Sequence, residues 1–129
     1  MQRAIVFLVL VAVLGIAPTV AASETQVTAH LVPVHGSVVS GAVVLDQLHE
    51  GTRIVVRATG LTPGAVYTSF YYDNSECTKG PDVVGTFKAD HAGIGRVTGT
   101  ADDDLDEIGS VSVRLGHGYG TLLACAKVH

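Results

Sequence analysis

Between Thr52 and Thr59 the chain alternates: Ile54, Val56 and Ala58 fall on one side of an extended backbone, and Arg53, Val55 and Arg57 on the other. A period of two is the signature of a half-buried β-strand, because successive side chains of an extended chain point to opposite faces. The same alternation recurs at Ser110–Leu115, with Val111, Val113 and Leu115 against Ser110, Ser112 and Arg114. Further runs of strand type cover residues 27–34, 41–48, 66–72, 83–88, 95–101 and 121–128, which makes eight. Gly, Pro, Asp and Asn separate them at Glu50-Gly51, Pro63-Gly64, Asp73-Asn74, Gly80-Pro81, Ala92-Gly93 and Gly116–Gly120. No window carries the three-four spacing of an amphipathic helix, and only Asp102–Glu107 suggests a helical turn. Eight short strands at regular spacing predict an all-β Greek-key sandwich or barrel.

The apolar share of 47% overstates what that domain can bury, since much of it sits in the run Ala4–Ala17 behind Arg3. Fourteen residues are too few to span a bilayer. Pro18 ends the run, and Val20 and Ala22 suit the positions that a signal peptidase inspects, so residues 1–22 read as a secretory signal peptide and 23–129 as the domain. Cleavage after Ala22 leaves 107 residues, with no membrane span, and moves the formal charge from −4 to −5 because Arg3 is lost and no acid is. A mildly acidic domain with so few lysines and arginines lacks the surface that tracks phosphates, and nucleic acid is excluded as a partner. Cys77 and Cys125 both fall in the exported part, where an oxidising compartment favours one disulfide. Two free or metal-binding thiols are the rival reading, and zinc sites cluster cysteines more closely than this.

From Gly60-Leu-Thr-Pro-Gly64 onwards the chain resembles the copper/zinc superoxide dismutases. Asp73-Asn74, Cys77-Thr78 and Gly80-Pro81 resemble that family's disulfide loop, and Ala89-Asp-His-Ala-Gly93 a later hairpin turn. Leu123-Ala-Cys125 resembles the C-terminal strand with the second half-cystine, and Gly41, Val43, Val44, Asp46 and Gln47 resemble the second strand. The resemblance covers nearly all of 23–129 and implies an eight-stranded Greek-key barrel closed by a Cys77–Cys125 disulfide. It does not bring the metal ligands with it. Ser69 and Tyr71 stand where the family places a copper-binding His-x-His pair, and Asp82 stands where the bridging histidine would be. The zinc loop is missing before Val83-Val84-Gly85, and Leu122 replaces the arginine that guides superoxide. A last copper histidine would fall near Leu115, and the nearest one is His117, the one weak candidate for a metal ligand. Copper that cycles between oxidation states needs converging imidazoles, so no dismutase chemistry and no cofactor are expected from that site.

Six histidines, at 30, 35, 49, 91, 117 and 129, are spaced as single surface groups, with His117 and His129 the best pair. Tyr67, Ser69 and Tyr71 share one face of their strand and would lie on the outer wall beside Asp82 and His117, a candidate binding surface for a protein or small-molecule ligand. The acids from Asp102 to Glu107 lack the spacing of a calcium loop, and the glycines around His117 lack the lysine of a phosphate loop. The expectation is an exported, non-catalytic binding or envelope module. The alternatives are a metal-binding protein or dismutase with a rebuilt copper site at His117, and a chordin-type secreted sandwich.

Overall fold

The computed structural model describes Gly15 and residues 25–129; the expected signal peptide, Gly15 apart, and its cleavage point lie outside the described residues. Eight antiparallel strands form one sheet: β1 (Gln26–Pro33), β2 (Ser40–Gln47), β3 (Thr52–Thr59), β4 (Val66–Tyr72), β5 (Asp82–Lys88), β6 (Gly95–Ala101), β7 (Ser110–Leu115) and β8 (Leu122–Lys127). Every expected strand is present within a residue at each end. The acidic stretch supplies a single 3-10 turn, Leu105–Glu107, held by Gln47, whose Oε1 accepts the Leu105 amide at 2.7 Å. Among the described residues no helix is long and apolar enough to cross a membrane.

The strands run in the order β5-β4-β7-β8-β1-β2-β3-β6. The two edges, β5 and β6, lie side by side without a hydrogen-bonded ladder, so the barrel is nearly closed. Three glycines permit that approach. A Cβ at Gly99 would strike the Val84 carbonyl oxygen, one at Gly85 would come 2.5 Å from Val97 Cγ2, and one at Gly95 would come 2.5 Å from the Phe87 ring. Only two connections leave a neighbouring strand, β3 to β4 and β6 to β7, and each crosses a barrel end past two strands. One end therefore gathers the β4–β5 loop, Asp102–Glu107 and the chain terminus. The other carries the β3–β4 and β7–β8 loops.

Inside lie Val43, Leu45, Ile54, Val56, Ile108, Val111 and Val113, all fully buried. The alternation of β3 is as read: Arg53 and Arg57 are exposed and Ile54, Val56 and Ala58 are buried. β7 departs from it. Ser110, Ser112 and Arg114, expected on the solvent side, are buried, while Leu115, expected inside, is 47% exposed. A second layer covers the outer face of β7: the loop 73–81, tied to β8 by the Cys77–Cys125 disulfide, and the glycine-rich loop 116–120. By the chain-entropy model, the 48-residue separation makes that bond worth up to about 4 kcal/mol.

Candidate functional site: the covered wall of β4, β7 and β8

Because residues paired directly across an antiparallel ladder share a face, register shows what the outer wall carries. Phe70 opposes Ser112, Ser112 opposes Cys125, and Cys125 opposes Val32, giving one row across β4, β7, β8 and β1. Thr68 opposes Arg114 and Tyr72 opposes Ser110 beside it. The outward residues of β4 are therefore Thr68, Phe70 and Tyr72.

Tyr67, Ser69 and Tyr71 consequently point inward, the reverse of the expected outer-wall placement. Tyr67 is 3% exposed, stacks on Phe87 with ring centroids 5.9 Å apart, and accepts the Thr62 amide on its hydroxyl at 2.9 Å. Tyr71 is 6% exposed and packs in the main core; burial, then the charge of Asp82, then that of Asp103 raise its phenol above the ordinary value of 10.0. Ser69 is fully buried, and its Oγ is the one buried side-chain polar atom among the described residues without a hydrogen-bond partner. Asp82 opposes Tyr71 at one barrel end, whereas His117 follows Gly116, whose amide binds the Val66 carbonyl at the other. The five residues do not make one surface. Nor do His117 and His129 pair, for they stand at opposite ends of the β7–β8 hairpin, and the His129 amide reaches back to the Gly109 carbonyl.

The wall holds something that strand periodicity hid. Arg114 is 8% exposed, and its guanidinium meets four neutral acceptors: Tyr72 Oη from Nε at 2.9 Å, the Gly120 carbonyl from Nη1 at 2.9 Å, and the Cys77 carbonyl and Tyr119 Oη from Nη2 at 3.2 and 2.8 Å. Tyr119 also lies across it, with Cζ 3.6 Å from the ring centroid, and meets Phe70 edge-on at 5.1 Å. Tyr72 Oη, receiving Nε, is free to donate to Ser112 Oγ at 2.8 Å. Burial raises the Tyr72 phenol above its ordinary 10.0, against the pull of its bonds to Ser112 and Arg114. An arginine flanked by Val113 and Leu115 reads as a solvent-side residue; the only sequence hint of its burial is the number of tyrosines and glycines nearby.

Beside the network runs a groove of about 550 Å³ lined by His30, Val32, Val34, Ser75, Glu76, Leu122, Cys125 and Lys127. At the acidic end a wider one, about 650 Å³, includes His49, Asp104, Asp106 and His129. The only trio of potential metal ligands among the described residues is Asp104, Asp106 and Glu107, whose carboxylates lie within 4.8 Å of one another and are exposed. No histidine joins it. Compared with known protein families and with curated proteins, the chain matches none.

Proposed function

We propose that this is an exported β-barrel protein of the copper/zinc superoxide dismutase kind in its scaffold, acting as a non-catalytic binding module. Two features support the scaffold. Around the barrel the strands follow 1-2-3-6-5-4-7-8, in which β4, β5 and β6 are consecutive neighbours and β7 returns beside β4, a Greek-key arrangement. The disulfide also ties the loop after β4 to the last strand, and such bonds belong to exported proteins.

The observation that carries the functional reading is the content of the outer wall. In the dismutases that wall presents imidazoles to copper; here Ser69 and Tyr71, which the resemblance sets at the copper positions, point inward, and the wall is filled by Thr68, Phe70, Tyr72, Ser112 and Arg114, the last hydrogen-bonded into it. The donor set does not fit copper or zinc: a fixed guanidinium repels a cation, and phenol and serine hydroxyls are poor substitutes for imidazole. Binding in its place rests on Tyr119, about half exposed over the wall, and on the groove beside the disulfide.

Purified protein loaded with copper and zinc and then dialysed tests this. Retained metal well below one equivalent, with no superoxide consumption, is expected. Stoichiometric metal with activity would overturn the reading in favour of a rebuilt site.

A further inference from the structure

The two sulfurs of the disulfide stand in different surroundings. Cys77 is fully buried, with its amide on Ser110 Oγ at 3.0 Å and its carbonyl on Arg114 Nη2 at 3.2 Å. It also holds φ at +58°, a conformation that residues other than glycine seldom adopt. Its loop is knotted by Asn74, whose side chain bonds Thr78 Oγ1 and accepts the amides of Thr78 and Lys79. Cys125 is only half-buried and lines the 550 Å³ groove, with His30 and Lys127 among the other lining residues.

Thiol–disulfide exchange requires a thiolate to reach one sulfur while the other leaves. We infer that Cys125 is a modification site, at which an anionic low-molecular-mass thiol entering the groove forms a mixed disulfide and expels Cys77. The incoming sulfur bonds to Cys125 Sγ, the Cys77–Cys125 bond breaks, and its electron pair leaves on Cys77 Sγ. Disulfides number one before and one after, so no oxidant or reductant is consumed. The entering thiol's proton goes to solvent, and the Cys77 thiolate is free to take one up.

Charge admits one partner and favours the other. Lys127 offsets Glu76 in the groove, so an anionic thiol is not turned away, while Arg114, hydrogen-bonded to the Cys77 carbonyl and otherwise only to neutral acceptors, sets a cation beside the leaving cysteine. Opening the bond frees the loop 73–81 from β8, and with it one of the four acceptors of Arg114.

Incubating the oxidised, folded protein with glutathione at neutral pH, stopping the exchange with acid, alkylating free thiols and mapping the peptides tests the direction. Glutathione on Cys125 with alkylated Cys77 is expected to exceed the reverse by about tenfold or more. Adduct on Cys77, an even split, or no adduct would overturn the inference. A Lys127→Glu variant, altered only at an exposed position, supplies the second measurement: its exchange with glutathione should slow about threefold, while that with uncharged mercaptoethanol stays the same. Equal changes for both thiols would refute the electrostatic entry route.

Discussion

In a Tyr72→Phe variant the ring stays in its buried place and one oxygen disappears, stranding two partners. Arg114 Nε loses its acceptor at 2.9 Å and Ser112 Oγ its neighbour at 2.8 Å. Water cannot easily replace the oxygen, because Tyr72 and Ser112 are wholly buried and Arg114 nearly so. A hydrogen bond to a charged group is worth about 1.5–3 kcal/mol and one between neutral groups about 1 kcal/mol, offset in part because phenylalanine no longer buries a hydroxyl. The loss should come to about 3 kcal/mol, a large share of the 5–15 kcal/mol typical of a domain. Urea unfolding followed by far-ultraviolet circular dichroism, with the disulfide intact, measures it, and the slope with denaturant should not change. In an Arg114→Met background the same substitution should cost roughly half as much, since the stranded cation is gone, which gives a coupling of about 1.5 kcal/mol. A cost below about 0.5 kcal/mol, or strict additivity in the double variant, would refute the account of the wall as one hydrogen-bonded network.

The barrel seam and the acidic end give two further expectations. Gly99→Ala should destabilise by about 1–3 kcal/mol, because its Cβ would meet the Val84 carbonyl, whereas Gly118→Ala, facing open space, should shift thermal unfolding little or slightly upward; equal effects would contradict the close approach of β5 and β6. Partial burial, then the charges of Asp73, Asp82, Asp102 and Asp104, raise the Asp103 carboxyl above its ordinary 3.8. The folded state therefore binds that proton more tightly than the unfolded chain, and ionisation at neutral pH costs stability that returns as pH falls through the folded-state value. Asp103→Asn should be the more stable protein at pH 7 in low salt, with the gap closing below 3.8; a gap independent of pH would sink that assignment.

The strands were legible because alternation is a local property. Where one face meets the core and the other meets water, as in β3, hydrophobic and charged residues sort themselves along the chain and the register follows. β4 offers no such contrast: Thr68, Phe70 and Tyr72 on one side are as mixed as Tyr67, Ser69 and Tyr71 on the other, and six of its seven residues are buried. Its sequence therefore could not say which face lay inside. A register shift against β5 between Ser69 and Phe70 further weakens any count from the turn before it. Cys77 and Cys125 were readable as a pair from composition and compartment, but not the depth of one and the half-exposure of the other.

What the sequence determined by itself is the class: an all-β domain of eight short strands, with positions set by period two and by turn residues at fixed places. Only the tertiary structure decided where its chemistry lies. Two loops, 73–81 from some thirty residues upstream and 116–120 directly after the strand, fold over the outside of β7 and turn a solvent face into a second interior. That coverage buries Arg114, the pairing of β4 with β7 sets the faces of β4, and Cys125 is left as the less buried half of the disulfide. Burial depends on what packs against a face from elsewhere in the chain, and no local pattern encodes it.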